Sequence, residues 1–304
     1  MALKPLALKK GDLIAVAATA SPFDVPEFEK GLVTLKELGF RVTYRKDIFE
    51  KRAFLAGTDE RRAEELNQHL ADPEVRAILF ARGGWGTSRI LPLLKKDLFE
   101  KKPKIVLGYS DLTSLLLYLQ KLGWTVFHGP VVAKGLGENF SDRGKNSLLR
   151  AFLQKVALGP ISNEGQHFIL PGKSRGILIG GCLSLLISSL KTPWELDCEN
   201  KILFIEDINE APYKIDRMLT HLSLAGKFEG LKGVISGPFH SKASEEEVYV
   251  SILREHFGKL KIPVVYNFPS GHLNNMLTIP FGVELELDSN ESRIEFLEGA
   301  LHAA

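Results

Sequence analysis

The stretch Lys104-Ile105-Val106-Leu107-Gly108-Tyr109-Ser110-Asp111-Leu112-Thr113-Ser114 organises the chain. An apolar run ends at Gly108, and a helical pattern from Leu112 to Leu122 starts four residues later. Ser110 therefore sits on a strand-to-helix turn. Such a turn can aim a hydroxyl off the end of a sheet, beside the unbonded N–H groups of a helix start. Ser and Asp are also common helix caps, so the turn by itself can be no more than a helix start.

Outward from this turn, short apolar segments alternate with helical ones. Asp12 to Ala18 reads as a buried strand and Val25 to Leu38 as a helix stopped by Gly39. Arg41 to Tyr44 reads as a strand, and Thr58 to Leu70 as a helix that Thr58 can cap. Val75 to Ala81 is a third strand, followed by Arg82-Gly83-Gly84-Trp85-Gly86 and a helix from Arg89 to about Leu94. Ile105–Leu107 and Thr125–Phe127 complete the series. Strands alternating with helices imply a parallel sheet covered on both faces, with functional loops at the carboxyl ends of the strands. The Gly83–Gly86 loop and Ser110 should share that edge.

The pattern changes near residue 160. Ser162–Gly165 and Pro171–Ser174 read as loops, and the expected division is 1–160 and 161–304. Beyond it, Ile177–Ile179 and Lys201–Ile205 read as strands, the latter ending at Glu206-Asp207. Pro212–Leu224 and Glu245–Phe257 read as helices. Val283–Leu287 alternates with period two, as a half-exposed strand does. The second part is expected to be mixed, mostly β, with more antiparallel pairing.

The chain has 304 residues, 44% hydrophobic and 25% charged, with a net charge of +2. This composition fits a globular protein of two domains. Its scattered Lys and Arg give no broad basic field, which argues against a nucleic-acid partner. No run reaches membrane-spanning length, and the first ten residues carry no signal-peptide core. The two cysteines, Cys182 and Cys198, form no metal spacing or disulfide framework. A reducing cytoplasm is the expected location.

If Ser110 is a nucleophile, it needs a general base, and the base needs an orienting acceptor. Glu206 is a candidate acceptor, although a carboxylate pair there can equally be a solvated strand end. The base must be one of eight histidines. His128 follows a strand and can be a packed turn residue. His272 follows Gly271, which permits the bend that would present its ring. The Arg82–Gly86 loop can cradle a phosphate, or supply one N–H of an oxyanion hole with Asp111 N–H as the other. It matches neither GxGxxG nor a Walker A sequence. Cys182 is a competing nucleophile, though buried inert cysteines are commoner.

Six segments, in order, resemble the LD-carboxypeptidase family of serine peptidases, the group that includes muramoyltetrapeptide carboxypeptidase and the microcin C immunity peptidase. They are Gly11-Asp12 with Ala18-Thr19-Ala20-Ser21-Pro22; Arg82–Gly86; Gly108-Tyr109-Ser110-Asp111; His128-Gly129-Pro130; Leu203–Asp207 with Pro212–Arg217; and Gly271-His272. The resemblance implies a flavodoxin-like α/β N-terminal domain and a smaller, mostly β C-terminal one. It implies Ser110 as nucleophile, His272 as base and Glu206 as its orienting carboxylate. It also implies an oxyanion hole from Asp111 and the Gly83-Gly84 pair, here assigned to Gly84. The site should lie between the domains, with Ser110 in one and Glu206 and His272 in the other.

The implied activity is release of terminal D-alanine from muropeptide tetrapeptides in cell-wall recycling, without metal or organic cofactor, by a homodimer. Two alternatives stand beside it: a peptidase that inactivates a peptidyl-nucleotide antibiotic, and a non-catalytic muropeptide- or nucleotide-binding protein. One departure concerns substrate contacts, since Cys182 stands where the family often has Asn.

Overall fold

The computed structural model describes residues 2–100, 103–137, 140–161, 165–240 and 245–302. Among the described residues the first sheet has six strands, five of them parallel: β1 (Leu13–Ala17), β2 (Arg41–Thr43), β3 (Val75–Phe80), β4 (Ile105–Gly108) and β5 (Val126–His128). Their spatial order is β2-β1-β3-β4-β5, the flavodoxin-like order. Helices α1 (Val25–Glu37), α2 (Asp59–Ala71), α3 (Thr87–Ile90) and α4 (Thr113–Lys121) run between them. Local chemistry sets the helix starts. The Asp24 side chain accepts from Glu27 N at the head of α1, and Thr58 accepts from Arg61 N at the head of α2. The helix expected over 89–94 is instead the single α turn of α3 followed by a 3-10 turn, Leu91–Leu93. Pro92 has no N–H to continue an α-helix, which explains the change.

After α5 (Asp142–Leu153) the chain enters a second sheet, eight-stranded among the described residues. Its strands are β6 (Gly159–Pro160), β7 (His167–Leu170), β8 (Lys173–Cys182), β9 (Lys201–Ile208), β10 (Gly233–His240) and β11 (Val264–Tyr266), then, after β12 (Ile279–Phe281), β13 (Glu284–Asp288) and β14 (Arg293–Phe296). The central four, β8-β9-β10-β11, are parallel. Helices α7 (Pro212–Leu224) and α8 (Glu246–Phe257) make two of the crossovers, and the short α6 (Leu183–Ser188) starts the third. The expected antiparallel pairing is confined to the flanks, β7 on one side and β13-β14-β6 on the other.

Three local expectations change. Lys173 and Ser174 are strand rather than loop, because the turn between β7 and β8 is only two residues long. The expected loop residues 162–164 lie outside the described residues. Glu206 and Asp207 lie inside β9 rather than beyond its end. In β13 the outward Glu286 and Asp288 are covered, not half-exposed: Arg175, Arg293 and Lys173 close over their carboxylates.

The two sheets are tied together. β12, from the second half of the chain, pairs antiparallel with β5 at the edge of the first sheet. Phe127 from the first sheet, Phe204 and Leu285 from the second, and Phe281 from β12 belong to one apolar core. Each such phenylalanine contributes roughly 1.5–3 kcal/mol through burial. This shared core fixes the carboxyl edge of the first sheet against β9, where the candidate site lies.

Candidate active site

Ser110 has φ of 61°, the left-handed region that few non-glycine residues enter. It follows an extended Tyr109 and opens a 3-10 turn, Ser110–Leu112, that leads into α4. Such a conformation costs on the order of 1–2 kcal/mol for an L-residue. Strain of this kind persists only where its surroundings over-determine it.

The surroundings are visible. The buried Asp111 carboxylate accepts from Thr87 N at 2.8 Å and so ties this turn to the head of α3. Burial pushes that carboxyl above its usual range, against the hydrogen bonds from Thr87 and the Gly86 amide. Gly83 lies against the turn: a Cβ there would stand 3.1 Å from Ser110 Cβ and 3.3 Å from its Oγ. Ser21 N donates to Gly83 O, Trp85 N donates to Ser21 Oγ, and buried Arg62 donates to Gly86 O. Two amides of the 83–87 loop, Trp85 and Thr87, are therefore already bonded within the protein. This weakens the phosphate-cradle reading of the loop.

Glu206 is fully buried in β9, and its Oε2 accepts from His272 Nδ1 at 2.7 Å and from His272 N at 3.1 Å. Two glycines make room for it. A Cβ on Gly271, whose φ is +118°, would stand 2.6 Å from Glu206 Oε2. One on Gly237 would stand 2.9 Å from Glu206 Cβ. His272 belongs to the segment between β11 and β12, which crosses from the second sheet back to the first. Ser270 Oγ donating to Leu277 O braces that segment.

With Nδ1–H donated to Glu206, the other ring nitrogen, Nε2, is left as an acceptor. Burial lowers the His272 pKa, but the hydrogen bond and charge of Glu206, with Asp207 behind it, outweigh burial and raise it above the ordinary value. Tyr109 packs its ring edge-on to His272, with centroids 4.9 Å apart.

Ser110, His272 and Gly84 line one pocket of about 300 Å³, with Asp24, Arg82 and Lys134 around them. Glu206 lies behind His272, and the Asp111 side chain lies beneath the turn. No hydrogen bond joins Ser110 Oγ to His272 among the described residues. A larger cavity of about 430 Å³, beside α5, carries none of the candidate residues.

The competing groups fare differently. His128 is fully buried between the rings of Phe204 and Phe281, and burial, with His272 nearby, pushes its pKa down to about 3. It is a packed histidine at the end of β5, rather than in the turn that follows the strand. Cys182 pairs with Glu206 across β8 and β9, and its amide donates to Thr113 Oγ1. Burial, and then the charges of Glu206 and Asp207, push its thiol well up, so it stays protonated at neutral pH. A thiol is a poor nucleophile. Cys182→Ala should accordingly keep peptidase activity within about threefold of wild type, measured as initial rates of amino-acid release. Among the described residues no cluster of three His, Cys, Asp or Glu could hold a metal, and no helix is long and apolar enough to cross a membrane.

The Asp111 carboxylate, the Gly237 notch and the Tyr109 ring were not singled out from sequence. For Asp111 the signal was its place directly after the strained serine. The other two depend on contacts between segments far apart in the chain.

Comparison with known proteins shows the family. Residues 14–129 match the model of the LD-carboxypeptidase N-terminal domain, and residues 175–287 that of the LD-carboxypeptidase C-terminal domain. The chain is 36% identical over 299 residues to the "Probable murein peptide carboxypeptidase" of Bacillus subtilis (strain 168), covering 95% of this chain and 92% of that one. Two solved structures superpose over nearly its whole length. MccF in complex with glutamyl sulfamoyl guanosine does so with a TM-score of 0.89 at 26% identity, covering 99% of this chain and all of that one. The muramoyltetrapeptide carboxypeptidase of Oxalobacter formigenes gives 0.84 at 27% identity, covering 96% and 100%. With family models matching both halves and a relative 36% identical over 95% of its length, the chain belongs to the LD-carboxypeptidase family.

Proposed function

We infer that the protein is a serine-type LD-carboxypeptidase that releases the terminal D-alanine from muropeptide tetrapeptides during cytoplasmic cell-wall recycling. The observation that carries this reading is the left-handed Ser110 in one pocket with His272, whose Nδ1 is held by the buried Glu206. In this scheme Ser110 Oγ attacks the carbonyl that precedes D-alanine, and His272 Nε2 takes the hydroxyl proton. The amides of Gly84 and Asp111 receive the oxyanion. The amide bond then breaks, His272 gives its proton to the departing amine, and the tripeptide remains esterified to Ser110. Water, deprotonated by His272, hydrolyses that ester and restores the serine. Glu206 holds the ring and stabilises the imidazolium formed twice per cycle.

A second reading is favoured by the likeness to MccF solved with glutamyl sulfamoyl guanosine: the same residues would cleave a peptidyl-nucleotide antibiotic. A third, a binding protein without turnover, would leave Ser110 as a helix start. A competition assay decides among them. Tetrapeptide, a pentapeptide ending in D-Ala-D-Ala, an all-L tetrapeptide and a peptidyl-sulfamoyl nucleotide are offered together. The tetrapeptide should be cleaved at least about tenfold faster than the pentapeptide, because an added residue displaces the terminal carboxylate and leaves polar partners unmet. Preference for the nucleotide conjugate would move the assignment to the antibiotic branch, and no cleavage of any would leave a binding protein.

A further inference from the structure

The pocket holds two cations that the reaction scheme above does not use. Arg82 follows β3, and Lys134 ends the segment that leaves β5. Past the ends of these strands the two chains stay paired: Val132 N donates to Phe80 O, and Ala133 N to Ala81 O, both at 2.9 Å. Arg82 and Lys134 are the next residue on each side of this pairing, so both side chains start from the same level of the pocket wall. Lys134 has φ of 67°, which turns the chain sharply there. Arg82 Nη1 donates to Pro22 O at 2.8 Å, which anchors the guanidinium and leaves its other N–H groups for a ligand. Among the described residues neither cation is joined to a carboxylate. Among the described residues Asp24 is the one acidic residue of the pocket lining, and its Oδ1 is bonded to Glu27 N in capping α1. Among these lining residues two cations face one carboxylate, a balance that suits an anionic group.

We propose that Arg82 and Lys134 form a clamp for the free C-terminal carboxylate of the peptide, and so make this site an exopeptidase. This deepens the carboxypeptidase reading and rests on it. The clamp lies in the same pocket as Gly83 and Gly84, on the side lined by the segment that follows β5. Val131 and Ala133, both buried, complete that side and favour a small terminal side chain. A residue added to the peptide would put a neutral amide where the clamp expects charge. Charge-assisted hydrogen bonds to a carboxylate are about twice as strong as neutral ones, which gives the clamp its selectivity.

The test is binding to the Ser110→Ala protein, where turnover does not interfere. Calorimetry compares a stem tetrapeptide bearing a free terminal carboxylate with the same peptide as its C-terminal amide. The acid should bind at least about tenfold more tightly. Lys134→Gln, a change at an exposed side chain, should remove most of that preference, and adding Arg82→Gln should abolish it. Equal binding of acid and amide, binding of neither, or a preference that survives in the double variant would each overturn the clamp. The two readings fail separately. A tetrapeptide held by its carboxylate but never cleaved by wild type would remove the carboxypeptidase reading and leave the clamp. Cleavage without an acid preference would do the reverse.

Discussion

Replacing Ser110 by alanine is expected to cut D-alanine release from a tetrapeptide by about 10⁴-fold or more, with substrate binding little changed. The size follows from losing the covalent step altogether, since members of a nucleophile–base unit fail together rather than additively. It corresponds to roughly 5 kcal/mol or more of transition-state stabilisation. The left-handed backbone at this position adds a second expectation. Ser110→Gly should be just as inactive, yet at least as stable to heat as wild type. Glycine adopts φ of 61° without the penalty an L-side chain meets there, which offsets its larger unfolded-state entropy. An inactive variant that melts no lower would show strain held at the site for function. Near wild-type turnover in Ser110→Ala would end the nucleophile assignment.

Glu206→Gln is expected to lower kcat/KM by about 10²- to 10⁴-fold, because the ring loses the charge that stabilises its protonated form. The pH profile should change in a defined direction. If His272 is the base, the acid limb of kcat/KM in wild type should mark its protonation and lie above the ordinary histidine value of 6.5. Activity then falls as pH drops through that raised value. Without the Glu206 charge, burial, which disfavours the imidazolium, is less opposed, so the limb should move to lower pH. The linked effect on stability has the opposite sense. Because the folded pKa is raised, the pairing stabilises the fold fully below the unfolded pKa and loses that contribution as pH rises through the folded one. An acid limb that stays in place in Glu206→Gln would show that His272 does not set it.

Much of the first sheet was legible because its strands are short apolar runs separated by capped helices. Val25, Thr58 and Gly39 mark boundaries that the structure places within a residue or two. The edge strand β12 was not legible. Ile279-Pro280-Phe281 is three residues long and contains a proline, and only its pairing with β5 makes it a strand. The parallel centre of the second sheet is hidden in the sequence for a related reason. Its helical crossovers have clear patterns, but the long β8 reads as a loop followed by a three-residue strand.

At the site, strand ends alone placed Ser110 and the Gly83–Gly86 loop on one edge. Which of eight histidines meets which carboxylate was left open by the residues and came from the family resemblance. The physical reason is distance in the chain: Glu206 and His272 are 66 positions apart. The notch between Gly237 and Gly271 that admits the carboxylate exists only once three segments pack together. Lys134 carried no motif at all, and its relation to Arg82 depends on two backbone hydrogen bonds past the ends of β3 and β5.

Ser110, served by His272 and Glu206, is expected to remove one D-alanine from muropeptide tetrapeptides. The decisive measurement is mass spectrometry of a mixed muropeptide digest incubated separately with wild type and with Ser110→Ala. Wild type should convert tetrapeptides to tripeptides with loss of one alanine while pentapeptides remain, and the Ser110→Ala profile should match the digest without enzyme. Tetrapeptides left intact by wild type, or shortened at an undiminished rate by Ser110→Ala, would rule this activity out.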